Sequence, residues 1–360
     1  MKRVFISDCE GPISKNDNAF EITAHFVPNG DKLFTLISKY DDLLADVLKK
    51  PGYSAGGTLK LILPFLKAYD VTDRRMREFS AQNLILIANS KDTLQHVRSI
   101  ASAFIVSTSY EHYIKALCNA LDFPYENTFC TQISIDKYSL AEQEKSKLKE
   151  IAREIAQTSM INIPPRARVL EDFSTKDQET IKRLDTIFWN EIGSMSIGEI
   201  YSEVKPVGGN QKAEAIKAAT KRVHAPLEAA MYVGDSITDV EAFQLVRNNG
   251  GLTVSFNGNH YAVENAEIAV LSENSIVTAI IADLFCNRGK QKTLQVLENW
   301  NRETLRRSAV TQLLLDKFFR LYPSALPKVQ IVTAEDMETL ASESSKFRKK
   351  VRGEAVGRLG

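Results

Sequence analysis

The sequence is poor in the features that mark extracellular, metal-thiolate or membrane-embedded proteins. Its four cysteines, Cys9, Cys118, Cys130 and Cys286, show neither the spacing of a zinc site nor that of a dithiol redox motif. No apolar run approaches the ~20 residues needed to span a bilayer. The formal net charge is only +1, so no global field draws nucleic acid or an anionic membrane to the chain. Internal repeats and low-complexity tracts are absent. No signal-peptide pattern precedes the first strand-like segment. These absences lead to the expectation of a cytoplasmic protein with reduced thiols, no membrane span and no nucleic-acid partner. With 44% hydrophobic and 25% charged residues, the 360-residue chain has an ordinary globular composition, long enough for a core domain and one or two smaller lobes.

What is present is a pair of acidic strand ends. Val4-Phe5-Ile6-Ser7 favours a buried strand, and it runs into Asp8-Cys9-Glu10 before Gly11-Pro12 ends it with turn chemistry. Residues two apart on an extended chain point the same way, so Asp8 and Glu10 share a face and Cys9 takes the opposite one. Two neighbouring carboxylates are costly unless a cation or a shared proton relieves them. The pair therefore points to a metal site, to a nucleophile with an acid–base partner, or to both. Met231-Tyr232-Val233-Gly234 repeats the pattern and leads into Asp235-Ser236-Ile237-Thr238-Asp239. If a helix starts near Ser236, Asp239 lies in its first turn, where the dipole favours acids. A third apolar run, Ala103-Phe104-Ile105-Val106, ends in Ser107-Thr108-Ser109. Lys212 follows a loose turn, Val207-Gly208-Gly209-Asn210-Gln211, and opens a helical run from Ala213 to Val223. Open α/β sheets bind ligands outside the carboxyl ends of their strands, which is where these groups would gather.

The order acid pair, hydroxyl, lysine, acid pair resembles the haloacid dehalogenase-like phosphatase superfamily. Asp-x-Glu-Gly places the chain near its phosphoserine-phosphatase-like branch. The resemblance implies an α/β fold with a doubly wound parallel sheet, a Rossmannoid core, and an Mg²⁺-dependent phosphomonoester hydrolase of a small phosphorylated metabolite. Asp8 would be the nucleophile that forms an aspartyl-phosphate, and Glu10 the general acid and base. Ser107, Thr108 and Lys212 would bind the phosphoryl group. Asp8, Glu10 through its backbone carbonyl, Asp235 and Asp239 would form the metal site, with Asp239 holding a metal-bound water or orienting Lys212. The family more often has Asp where Glu10 stands. The longer side chain admits a phosphotransferase acting on an alcohol as an alternative. The whole-chain pattern also loosely resembles archaeal members grouped by name with energy-converting hydrogenases, which implies a catalytically weak accessory subunit as a further alternative.

The resemblance covers about residues 1–13, 89–138 and 205–285, the expected catalytic core. Within it, helix 91–100, a strand ending at Ser107, a helix from Tyr110 to Leu121 and strands over Phe129–Asp136 and Gly250–Asn257 are expected. Residues 14–88 are expected to be a helical cap insertion. There Leu33 to Leu48 and Leu59 to Tyr69 carry helical periodicity, and Arg74, Arg75 and Arg77 read as a solvated face. Residues 139–204 form a second helical insertion, broken at Ile163-Pro164-Pro165, which is either a separate lobe or an enlargement of the first. Residues 286–360 read as a helical C-terminal extension of unassigned role. Its basic end, Phe347 to Gly360 with Arg348, Lys349, Lys350, Arg352 and Arg358, reads as a frayed, solvated tail.

Overall fold

The computed structural model describes residues 2–164 and 166–359; Pro165, part of the expected break, lies outside the described residues. The chain opens with β1 (Val4–Ser7) and then leaves the sheet for α1 (Asn18–Phe26), α2 (Gly30–Asp42), α3 (Thr58–Ala68) and α4 (Asp73–Gln82). The sheet resumes with α5 (Ser90–Ile100), β2 (Ser102–Tyr110), α6 (Glu111–Leu121) and β3 (Thr128–Thr131). A second helical stretch holds α7 (Glu142–Gln157), α8 (Thr175–Asp185) and the short α9 (Ile200–Glu203). Strands and helices then alternate through α10 (Asn210–Arg222), β4 (Ala230–Gly234), α11 (Val240–Asn248), β5 (Leu252–Phe256), α12 (His260–Asn265) and β6 (Ile268–Leu271). The C-terminal part contributes α13 (Ile276–Glu298), α14 (Arg302–Arg307), α15 (Gln312–Leu321), β7 (Lys328–Ile331), α16 (Met337–Arg352) and α17 (Glu354–Gly357).

The seven strands form one sheet in the order β3-β2-β1-β4-β5-β6-β7. All neighbours are parallel except β7, which runs antiparallel to β6. Every residue of β1, β4 and β5 is buried, which explains why they read as unbroken apolar runs rather than alternating ones. The strand order reverses at β1, where the chain winds first toward β3 and then toward β7. Ligand crevices open at such a switch point. Ser7 pairs with Ile105 on one side and Val233 on the other, so Asp8 and Asp235 leave the sheet at one level, beside the Ser107 and Thr108 positions of β2.

The two helical stretches bury one common apolar cluster. Leu36, Ile37, Tyr40, Leu61 and Phe65 from the first meet Leu148, Ile151, Ile155, Phe188 and Ile192 from the second. The second insertion therefore enlarges the first lobe. A Leu→Ala change in such a cluster costs about 2–5 kcal/mol, so the two stretches stabilise each other.

Three expectations are corrected. β2 does not stop at Ser107 but continues to Tyr110. β3 stops at Thr131 instead of reaching Asp136, because the Asp73 carboxylate accepts from the Ser134 hydroxyl at 2.7 Å and the Ile135 amide at 2.9 Å and bends the chain toward α4. The C-terminal extension is helical, as expected, but it also supplies β7 to the sheet edge.

Candidate active site

β1 and β4 end side by side, and their first polar residues meet α10. Asp8 Oδ2 accepts a hydrogen bond from Lys212 Nζ at 2.5 Å, and Asp8 Oδ1 accepts one from the Cys9 amide at 2.6 Å. Lys212 Nζ also donates to Asp239 Oδ1 at 2.6 Å. Lys212 is fully buried, so its ammonium is tenable only because two carboxylates hold it. The second Asp239 oxygen accepts the Asp235 amide at 2.8 Å and the Ser236 amide at 2.9 Å, while Tyr232 donates to Oδ1 at 2.5 Å. With five donors, the Ser236 hydroxyl at 3.5 Å included, Asp239 orients Lys212 and clamps the turn after β4.

Two glycines make the approach possible. Gly11 has φ 103°, and a Cβ there would lie 2.1 Å from Asp235 Oδ2. A Cβ on Gly234 would lie 2.5 Å from Asp239 Cγ.

Asp235 is held from an unexpected direction. Arg348 and Arg352, on the last turns of α16, both donate to Asp235 Oδ2; the Arg352 contact is 3.0 Å. Their side chains are 3% and 4% exposed. The solvated-tail expectation for Phe347 to Gly360 is thus overturned at these two positions. The helix is anchored by Ser344, which donates to the Gly258 carbonyl at 2.6 Å, and by Leu340 and Ala341 against the β6 side of the sheet. Leu340, Ser344, Arg348 and Arg352 recur every four residues, so they lie near one helix face. That spacing was the available signal, masked by the surrounding Lys and Glu.

Asp8, Glu10, Thr108, Asp235, Arg348 and Arg352 line a cavity of about 90 Å³, closed by residues of α2 and the start of α3. Ser107 is buried at the same level, and its hydroxyl accepts from the Ser109 amide at 3.2 Å; Thr108 lines the cavity together with Ser38, Thr58, Ser236 and Thr238, and its hydroxyl donates to the Val207 carbonyl at 3.1 Å. Glu10 is partly buried, and its Oε1 accepts the Asn18 amide at 2.7 Å. Cys9 points away into the apolar core, as strand alternation requires. Arg74 and Arg77 are exposed, as the solvated-face reading expects, but Arg75 is half-buried, with its guanidinium over the Phe26 ring and donating to the Asp70 carbonyl at 2.9 Å.

A family model described as haloacid dehalogenase-like hydrolase matches residues 81–283, more than half of the chain. The protein belongs to this family. The solved structure of an Archaeoglobus fulgidus gene product aligns over 100% of this hydrolase and 99% of its own length, with a TM-score of 0.80 and 24% identity, and so shares its whole fold, the C-terminal extension included. Phosphoserine phosphatase in apo form aligns with 76% of the hydrolase and 96% of its own chain at TM-score 0.46 and 12% identity, too distant to support an argument. No curated protein matches the chain.

The electrostatics of the hydrolase site are those of crowded, desolvated acids. Burial pushes the Asp8 carboxyl up to about 7; Lys212 opposes this, while Asp239 and Asp235 add to it. Burial would also raise Asp239, but Lys212 and the donors around it outweigh burial and hold it below the usual carboxylate range. Burial alone would lower the Lys212 ammonium, yet Asp239 and Asp8 keep it protonated. Burial, with Asp17 nearby, lifts Glu10 well above the usual glutamate range despite the Asn18 amide and Arg352.

Asp8, Asp235 and Asp239 each bring a carboxylate oxygen within 4.8 Å of the other two. An all-oxygen donor set suits a hard cation such as Mg²⁺. Asp8 and Asp235 keep lone pairs for an ion, whereas Asp239 has spent its own on five donors.

Proposed function

We propose that the protein is a phosphomonoester hydrolase of small phosphorylated metabolites that works through an aspartyl-phosphate on Asp8. The observation that carries this reading is the Lys212 bridge between Asp8 and Asp239 at the ends of adjacent strands, with Asp235 beside it. A lone lysine buried among three acids has little structural justification, but it matches the needs of a site that receives a phosphoryl group.

In this reading Asp8 attacks phosphorus through a carboxylate oxygen, and the P–O bond to the leaving alcohol breaks. Lys212 fixes the Asp8 rotamer and neutralises charge on the phosphoryl oxygens. The Thr108 hydroxyl, which donates to the Val207 carbonyl at 3.1 Å, would turn from it to a phosphoryl oxygen, and Ser107 braces the same stretch of β2 by accepting the Ser109 amide. Glu10, whose carboxyl burial pushes above the usual glutamate range, gives a proton to the leaving oxygen and then takes one from the water that attacks the acyl-phosphate. Mg²⁺ would be held by Asp8, Asp235 and the Glu10 backbone carbonyl, and would spread the charge of the phosphoryl oxygens.

The test is release of inorganic phosphate from a broad panel of phosphomonoesters in the presence of Mg²⁺. The native protein is expected to act on a subset, and Asp8→Asn on none. A panel on which a well-folded Asp8→Asn matches the native protein would refute the reading.

A further inference from the structure

Arg348 and Arg352 reach the cavity from a helix outside the strand-end constellation, and the chemistry above gives them no task. Arg352 is latched on three sides. Its Nε donates to the Lys15 carbonyl at 3.0 Å, its Nη2 to the Asn16 carbonyl and its Nη1 to Asp235 Oδ2 at 3.0 Å. Arg348 is different. Its Nη1 meets the Asp235 carboxylate and, at 3.0 Å, the Asp235 carbonyl; its Nη2 reaches the Leu359 carbonyl at 3.3 Å. Its Nε is buried with no acceptor. Leaving a buried donor unsatisfied costs about 1–3 kcal/mol, and more on a charged group. Arg348 is among the residues lining the cavity shared with Asp8, so this unspent donor belongs to a side chain that borders a place for a ligand oxygen.

The cationic side chains of the cavity point the same way. Six acids line it, Asp8, Glu10, Asp17, Asp41, Asp42 and Asp235, and Arg348 and Arg352 are the two cations among its lining residues, so they are the groups an anionic ligand would meet there. Guanidinium groups suit this task because their planar fork matches a tetrahedral oxyanion.

Resting on the phosphoryl-transfer reading, we infer that Arg348 is a substrate-binding residue that donates from Nε to a nonbridging oxygen of the phosphoryl group. Arg352 is a positioning residue that holds Asp235 and the end of α16 in register. The C-terminal extension thereby completes the site. The rival account makes both arginines a latch for the helix, with no ligand contact.

Titration calorimetry of the full chain with inorganic phosphate, in the presence of Mg²⁺, separates the two. Arg348→Met is expected to weaken phosphate binding about 10- to 100-fold, the span of one charge-assisted hydrogen bond. Arg348→Lys keeps the charge but loses the fork, and is expected to fall between. Lys350→Met, on the exposed face of α16, leaves binding unchanged. Thermal melts establish folding; Ser344, Leu340 and Ala341 anchor α16 without the arginines. If Arg348→Met fails to fold, Arg348→Lys decides. Native phosphate affinity in either folded Arg348 variant would overturn the inference, as would a native protein that binds no phosphate. Arg348-dependent phosphate binding without turnover of any phosphomonoester would uphold the inference and reject the hydrolase reading instead.

Discussion

The two sides of the cavity bury charge in different ways. On one side Lys212 is wholly enclosed and depends on Asp8 and Asp239, with no neutral acceptor in reach among its hydrogen bonds. On the other, Arg348 and Arg352 share Asp235 but also lean on the carbonyls of Asp235, Leu359, Lys15 and Asn16. The lysine side is a closed circuit in which removing one member strands another. The arginine side is redundant and keeps an unspent donor. Rigid alignment suits the group that reacts, and spare donors suit the group that receives a ligand.

Chemistry gives the largest test of this contrast. Glu10→Gln is expected to slow single-turnover phosphorylation of Asp8 and its breakdown by about 10²–10⁴-fold, while Glu10→Asp retains activity. Equal rates in all three proteins would move the acid–base role elsewhere in the lobe. Stability gives the next test. Asp239→Asn removes a carboxylate from a fully buried lysine and is expected to cost about 3–5 kcal/mol in urea unfolding. Asp235→Asn leaves both arginines with carbonyl partners, and a smaller loss of about 1.5–3 kcal/mol is expected. A reversed order would break the comparison.

A buried pair outside the cavity calibrates it with the smallest effect. His112 Nε2 lies 3.1 Å from Asp73 Oδ1, between α6 and α4. Burial lowers the His112 imidazole below its ordinary value, with Asp73 opposing. The unfolded chain therefore binds the proton more readily, and stability falls as pH drops below the unfolded value of about 6.5. For this one group the slope cannot exceed about 1.4 kcal/mol per pH unit. Asp73 is held low by Ser134 and the Ile135 amide despite burial, so its contribution is lost only in stronger acid. Unfolding between pH 7 and 5 is expected to show a shallower slope in His112→Gln than in the native protein. An unchanged slope would remove His112 as its source.

The legibility of the molecule follows the same division. Asp8, Asp235, Asp239 and Lys212 stand next to signals carried by their own neighbours: apolar runs, a glycine, a helix start. Parallel strands buried on both faces announce themselves as such runs, so the core sheet could be read from β1, β2, β4 and β5. β7 was not read, because its one interior neighbour, β6, lies 60 residues away in sequence terms and only long-range pairing makes Lys328–Ile331 a strand. Arg348 and Arg352 were missed for a similar reason. Their burial depends on Asp235, more than a hundred positions earlier, and on a helix whose other faces are solvated. Ser107 and Thr108 are neighbours inside β2, so alternation sends their side chains to opposite faces, and it is Thr108 that lines the cavity.

The account rests on Asp8 as the group that carries the phosphoryl. Rapid acid quench of the native protein with its best substrate, followed by peptide mapping by mass spectrometry, tests this directly. The expected result is a phosphoryl group on the peptide containing Asp8, formed and lost at the rate of turnover, and absent from Asp8→Asn. Turnover with no phosphoryl group on Asp8, or with one on another residue, would contradict it.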